Sequence, residues 1–545
     1  MNAESLDILQ RGDEEAVCSV LDEFNRKHAK SFAFPDQTPE VKQKLLAAVM
    51  RWLESKASSK TYSSCLQTVR IISRDKSGLD TLMTTDLLAT LVQHSGLGSY
   101  SKGEVITKQE GDPSVMLEAQ KCLCNIIFNS PAAQRVCSGN GCVEGIIQRL
   151  KTYKDPALRH EVKFFDMRLL FLLTALCADI RPKLRNDLHG FTYLIEVLDL
   201  TLRSVADEDK SMSDQEVELC SEILKILFNL TVTIDRDNMD EEEEAHFLRL
   251  VSVLHELLVC DVASKDKREE LHSHTVNLLT NMPRESYEEL LTPLNEGAVG
   301  GAENKDVEYD GKNMEAIVTL MDFLDKRLDV PKQSMKEGLA PILHCLCEIC
   351  RANRSIRKFC RMKVLPYLGG DDVMRLPEEG PTIRNKVCKL FTCLVPEVKD
   401  LAADFLFVLC KESVARFVKY TGYGNAAGLL AQRGLLCGGC GADYSSESDE
   451  SETEEYSQLR DSINPITGRW ELERPDPMAE MSDEQKEYEA MKLVNKLDKL
   501  QRAGIVQPSR VGEDGKPHPV EHILELVEGS GPAEPPGATG NPDTD

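Results

Sequence analysis

Apolar helical segments recur along this 545-residue chain at a step of roughly 50 residues, and that recurrence constrains the fold more than any other feature. Leu123-Cys124-Asn125 ends one such segment and Leu176-Cys177-Ala178 the next. Phe228-Asn229 and Thr280-Asn281 follow, and Cys347-Glu348 comes after a longer step. The longer step holds the Gly-rich acidic stretch 295–311, read as a loop insertion. Each unit is an apolar helix, a short polar break often containing proline (Pro131, Pro182, Pro283), and a second helix. Such a unit cannot bury both apolar faces alone, so its neighbours must stack on it. Helical periodicity starts early, with Val17, Val20, Leu21 and Phe24 on one face and Leu45, Val49, Trp52 and Leu53 on another. Aromatics make up only 6% of the chain, which suits stacked helices better than a β-sandwich. The expected fold is therefore all-α: an armadillo/HEAT-like α-solenoid superhelix with one long concave surface. Asn125, Asn229 and Asn281 stand at helix ends, either as a ladder lining that surface or as partners for local backbone groups.

Four regions are expected. Residues 1–435 form the solenoid, which finishes near Gly434. Residues 436–481 form a flexible acidic linker, opened by the joint Cys437-Gly438-Gly439-Cys440-Gly441. Between Asp443 and Tyr456 the linker has seven carboxylates and no base, a composition that cannot pack a core. Residues 482–504 form an amphipathic helix, started by a Ser482/Gln485 capping box and stopped by Gly504 and Pro508. Its apolar stripe is Met491, Val494, Leu497 and Leu500. Residues 505–545, rich in Pro, Gly, Glu and Asp, are expected to be a disordered tail.

Several function classes lose ground on composition. A net charge of −26 argues against nucleic acid as the main partner. The most apolar stretch, Leu169 to Cys177, is about half the length of a membrane span, so no membrane insertion is expected. The first fifteen residues are acidic and lack the regions of a signal peptide. The eighteen cysteines lie scattered in apolar helices and read as free buried thiols of a cytoplasmic protein. Gly139-x-Gly141 and Gly422-Tyr423-Gly424 lack the spacing of a dinucleotide loop and read as helix breaks. Cys345, Cys347 and Cys350 share one helix at spacings that do not converge on an ion, and Cys437-x-x-Cys440 supplies only two ligands. No nucleophile or metalloprotease motif occurs. Neither a catalytic centre, a cofactor nor a metal is expected. Two basic features stand out: Arg70 with Arg74, four apart on one helix face, and the cluster Arg351, Arg354, Arg357, Lys358 and Arg361. Each either docks carboxylates of a partner or pairs with the chain's own acids.

Several segments closely resemble the synembryn family, chaperones and guanine-nucleotide exchange factors for heterotrimeric G-protein α subunits. They are 69–75 (VRIISRD), 121–125 (KCLCN), 164–173 (FFDMRLLFLL), 420–428 (YTGYGNAAG) and 487–494 (EYEAMKLV). The resemblance runs from about residue 7 to about 508 and is weak beyond about Val511. It implies an armadillo/HEAT superhelix that captures the C-terminal helix of Gα, GDP-bound or nascent, on its concave face. The matching contact positions are Arg70, Arg74, Asn125, Phe165, Phe171, Phe228 and Lys358. By the same resemblance Met491, Val494 and Leu497 contact the nucleotide-sensitive switch region of Gα. Ser446 and Ser451 match the family's phosphorylation sites, each with a carboxylate three residues on, as an acidophilic casein-kinase-type enzyme requires. The implied protein is a cytoplasmic monomer, with recruitment to the cell cortex as a further expectation. Its paralogue, A or B, is left open by this resemblance. A generic armadillo-type peptide-binding scaffold or carrier is the alternative reading.

Overall fold

The computed structural model describes residues 3–35, 37–98, 112–236, 238–294, 306–329, 335–441, 444, 452–472, 478 and 481–521. Ser446 and Ser451 lie outside the described residues. The chain divides into two compact units, Met1–Phe323 and Leu324–Asp545.

In the first unit six helices pack in series, each on the next. They are α1 (Glu14–Lys27), α2 (Ser59–Ile72), α3 (Pro113–Asn129), α4 (His160–Leu176), α5 (Asp214–Thr231) and α6 (Lys265–Leu279). A second row alternates with them in the chain: Pro39–Glu54, Thr85–His94, Cys142–Leu150, Gly190–Asp207 and Glu241–Val259. Each of these packs on the series helix that follows it, so the repeat is a helix pair, as the periodicity requires. The starts are written locally. Asp13, Ser58, Asp112 and Ser264 each accept a backbone N–H at the head of a series helix, and Ser213 with Glu216 forms a capping box. A series helix touches a neighbour on either side and its row partner behind. In α5, accordingly, Val217, Cys220, Ile223, Leu224, Ile226, Leu227 and Leu230 are all buried, and only a narrow strip faces out. The expected insertion is flanked by a small antiparallel sheet of β1 (Thr292–Pro293), β2 (Glu308–Tyr309) and β3 (Lys312–Asn313), in the order β1-β3-β2.

The second unit stacks α7 (Met335–Ala352) on α8 (Arg354–Val364) and α9 (Pro396–Leu409), followed by α10 (Val414–Thr421) and α11 (Tyr423–Arg433). The architecture is an all-α solenoid with minor strands. Gly139-x-Gly141 and Gly422-Tyr423-Gly424 are both helix breaks: Gly141 (φ +89°) caps the next helix, and Gly422 (φ +76°) joins α10 to α11.

The region expected to be a flexible linker departs from expectation over residues 452–472. Helix α12 (Glu454–Leu459) is seated on the second unit, where Glu455 Oε2 accepts the Gly370 N–H at 2.8 Å. A hairpin follows, β4 (Ile463–Asn464) with β5 (Arg469–Trp470). Its Pro465 and Ile466 carbonyls accept the N–H groups of Tyr423 and Gly424 at 2.8 and 2.9 Å, donors that a helix start leaves free. A Cβ on Gly422 would come within 2.9 Å of the Ile466 carbonyl oxygen, so glycine is required there for this approach. The long helix appears as expected: α13 (Asp483–Arg502) starts at a Ser482/Gln485 capping box and is followed by Gly504 at φ +68°. The expected tail also departs from expectation. Strands β6 (Ser509–Val511) and β7 (Pro517–Pro519) pair, and the Gly515 carbonyl between them accepts the Leu436 N–H at 3.3 Å. Backbone pairing, unlike core packing, needs little apolar composition, which is why composition did not announce either hairpin.

Candidate functional site

The outward strip of α2 to α5 carries a repeated arrangement of cations, acids and aromatic rings. Near the end of α2, Arg70 Nε stands 2.8 Å from Glu118 Oε2 on α3, an ion pair without hydrogen-bond alignment. One turn on, Lys121 Nζ takes Glu118 Oε1 at 3.0 Å and lies 5.8 Å from the centroid of Phe165 on α4. The arrangement then recurs. Arg168 of α4 and Lys225 of α5 share Glu222 Oε1 at 3.0 and 2.6 Å, and both cations lie over Phe171, at 5.6 and 4.9 Å. Glu222 is only 5% exposed, and its Oε2 has no hydrogen-bond donor among the described residues. On α6, burial and then the charge of Lys225 push the His274 imidazole below its ordinary pKa. Each acid thus holds two cations from different turns or helices, which fixes them in place without burying them.

The helix-end asparagines register the stack. Asn125 Nδ2 donates to the Arg70 carbonyl at 3.3 Å and Asn129 Nδ2 to the Ser73 carbonyl at 2.9 Å. Asn229 donates to Thr174 Oγ1 at 3.1 Å, and Asn281 to the Phe228 carbonyl at 3.3 Å. Of the two readings of these residues, the backbone-satisfying one fits, with an addition. The groups satisfied belong to the preceding repeat: last-turn carbonyls for Asn125 and Asn281, and the Thr174 hydroxyl for Asn229.

Arg74 needs a correction. Helix α2 ends at Ile72, so Arg70 and Arg74 do not share a regular helix face. Asn125 and Asn129 take the carbonyls of Arg70 and Ser73 as the helix closes. Arg74 Nη1 turns instead to the Ala29 carbonyl at 2.7 Å and its guanidinium lies 5.5 Å from the centroid of Phe32. Partial burial, and then repulsion from Arg70, lower its pKa.

Sequence reading missed Glu118, Lys121, Arg168, Glu222 and Lys225. The available signal was the spacing Glu118/Lys121, Arg168/Phe171 and Glu222/Lys225, three apart in consecutive repeats. It also missed an apolar row at the C-terminal ends of the same helices: Phe128 (59% exposed), Leu176 (44%) and Val232 (47%). Single exposed apolar residues are ordinary, but three at equivalent ends of stacked repeats form a surface. Cations over rings beside an apolar row suit an amphipathic helix that carries carboxylates.

A family model described as the guanine nucleotide exchange factor synembryn matches residues 65–516. The chain belongs to the synembryn family. Similar relatives are the Chaperone Ric-8A of Danio rerio, 43% identical over 94% of this chain and 95% of that protein, and that of Xenopus laevis, 45% identical over 96% of each. The Chaperone Ric-8A of Gallus gallus is 44% identical over 95% of each chain. Among solved structures, one from a study of a phosphorylation switch between cadherin and beta-catenin aligns with 80% of this chain and 69% of its own. It does so at 12% identity and a TM-score of 0.47.

In this synembryn chain Arg70, Asn125, Phe165, Phe171 and Phe228 fall on α2 to α5 of the first unit, all partly exposed. Lys358 lies on α8, in the second unit. Its basic neighbour Arg351 is occupied internally by Glu348, Asp404 and Glu412 at 3.0, 2.6 and 3.2 Å. Arg357 donates to the Cys350 carbonyl at 2.8 Å and stacks on Tyr444 at 4.6 Å. On α13 no residue is buried, and Met491 is 59% exposed. Among the described residues no helix is long and apolar enough to cross a membrane.

Proposed function

We propose that this synembryn chain binds the C-terminal helix of a G-protein α subunit along the α2–α5 strip and so acts as its chaperone and exchange factor. The observation that carries this reading is the paired device Arg70/Glu118/Lys121/Phe165 and Arg168/Glu222/Lys225/Phe171, which presents held cations beside exposed apolar ends. Carboxylates on the incoming helix engage the cations while its apolar face covers Phe128, Leu176 and Val232. Arg74 and Lys358 add charge at other points of the same partner.

Exchange then needs no nucleotide site on this chain. A ligand shifts an equilibrium only by its differential affinity for the two states, so tighter binding to nucleotide-free Gα than to its GDP form expels GDP. Making a rare state dominant takes about 5.5 kcal/mol of such preference. Removing the C-terminal helix from its own domain loosens the nucleotide pocket, and GTP closes it and releases the complex. The apolar stripe Met491, Val494 and Leu497 on α13 holds the switch region as a second contact, and the same grip on a nascent Gα is the folding assistance. Phosphorylation of Ser446 and Ser451 by an acidophilic kinase adds about −1.5 to −2 charges at each site and strengthens the complex.

Co-precipitation with Gα in GDP, in a GTP analogue and without nucleotide tests the reading. The nucleotide-free sample is expected to retain most Gα, and Arg70→Ala to weaken that retention roughly ten- to hundredfold, in line with about 1.5–3 kcal/mol for a charge-assisted bond. Equal retention in all three states would refute the exchange mechanism.

A further inference from the structure

All eighteen cysteines are free thiols, but their surroundings separate them sharply: fourteen are buried, Cys260 and Cys393 are half-buried, and only Cys437 and Cys440 are exposed. Burial raises Cys65, Cys137, Cys388 and Cys410 each to about 12, well out of the reactive range. The exposed pair is separated by Gly438 and Gly439, at φ +96° and +111°. This is backbone that favours glycine. A Cβ at either glycine would meet nothing within 4 Å, so no packed side chain opposes a change in the turn. Both ends are nevertheless anchored. On one side the Gly439 carbonyl accepts the Val414 N–H at 3.1 Å, and the Gly441 N–H donates to the Glu412 carbonyl at 2.9 Å. On the other, the Leu435 N–H donates to the Leu430 carbonyl at 2.8 Å, and the Cys437 thiol faces the Gly512 carbonyl at 3.8 Å, on the β6–β7 hairpin.

We propose that Cys437 and Cys440 are a dithiol modification site, oxidised to an intramolecular disulfide by small disulfides of the glutathione class, and that closure loosens the β6–β7 hairpin. One thiolate attacks a sulfur of the small disulfide, forming a mixed disulfide and expelling one thiolate. The second cysteine, as thiolate, then attacks the protein sulfur of that mixed disulfide and expels the other small thiol. The protein loses two protons and two electrons, and one small disulfide takes them up to become two thiols. A two-residue glycine spacer lets two thiols reach each other across one turn, and the fixed ends set how far the joint must move to reach disulfide geometry. Closure removes the Cys437 S–H that faces Gly512, and with it one of the contacts between the hairpin and the end of α11. The hairpin follows α13 by a few residues, so the sulfur chemistry reaches the region that anchors that helix.

The test uses the full chain, reduced and then incubated with oxidised glutathione. Thiol titration is expected to fall by two equivalents, and a non-reducing peptide map to show Cys437 linked to Cys440. Cys440→Ser is expected instead to retain glutathione on Cys437, because the resolving thiol is gone. Hydrogen exchange of residues 509–519 should accelerate in the oxidised wild type and return on reduction. No link between 437 and 440, or a link at other cysteines, overturns the site. A correct link with unchanged exchange over the hairpin overturns the coupling.

Discussion

Asp166 lies at the centre of a polar cluster in the core of the first unit, 0% exposed and within the segment that carries Phe165, Arg168 and Phe171. It accepts from Gln120 Nε2 at 2.7 Å, Arg149 Nη1 at 3.1 Å and the Tyr153 hydroxyl at 3.3 Å. Burial raises its pKa to about 6, against the lowering by Arg149, Gln120 and Tyr153. The folded-state value lies above the ordinary 3.8, so the folded chain holds this proton more tightly than the unfolded one. The stabilisation from this group is therefore complete below about 4 and declines as the pH rises to about 6. At pH 7 the carboxylate is ionised and balances Arg149, which is 4% exposed. Asp166→Asn keeps a neutral side chain at every pH and is expected to abolish the loss of stability between about pH 4 and pH 6. Urea unfolding of both proteins at several pH values checks this. The aspartate was visible in the sequence, but its partners were not: Gln120 and Arg149 come from other helices, 46 and 17 residues away.

At the scale of elements, α13 is unusual in burying none of its own residues. A long helix in water needs local support, and the Ser482 capping box supplies it together with the acidic first turn Asp483 and Glu484 and basic Lys499 and Arg502 in the last. Both flanks return to the second unit, through β4–β5 on α11 and through β6–β7 beside Leu436. The helix is thus presented between two anchors rather than trailing from one. Replacing Met491, Val494 and Leu497 with serine is expected to lower the melting temperature only slightly, because Met491 is exposed and Val494 and Leu497 are only half-buried. GDP release from Gα should slow in the same variant. A much lower melting temperature with normal release would assign the stripe a structural role instead. The boundaries of α13 were legible because caps and stops are local chemistry, whereas the hairpins at its flanks depend on backbone pairing with distant partners.

For the whole molecule, the net charge of −26 repels an acidic partner, while the strip on the first unit presents cations held in place by Glu118 and Glu222. Long-range repulsion and local attraction respond differently to salt, because the Debye length at physiological ionic strength is about 8 Å. Contacts of about 3 Å, partly shielded from water, are screened less than the overall field. The association rate of nucleotide-free Gα is expected to respond to added salt more than the dissociation rate, as for steered association in general. Surface plasmon resonance across a salt series measures both, and a response confined to dissociation would contradict this assignment. The division into two compact units was not read from the sequence, since the helical periodicity runs on through residue 323 without a compositional break.

The sequence by itself determined the helix-pair repeat, its roughly 50-residue step, and the cap and apolar stripe of α13. These follow from periodicity and capping, which act over a few residues and survive in any one-dimensional reading. Only the tertiary structure showed that α2 closes before Arg74, with asparagines about 55 positions later donating to the Arg70 and Ser73 carbonyls. It alone joined Arg70 to Glu118 across repeats, and Arg168 with Lys225 to Glu222. A carboxylate in a charged chain has many possible partners, and which cation it holds depends on the stacking distance between helices, which spacing along one helix does not encode.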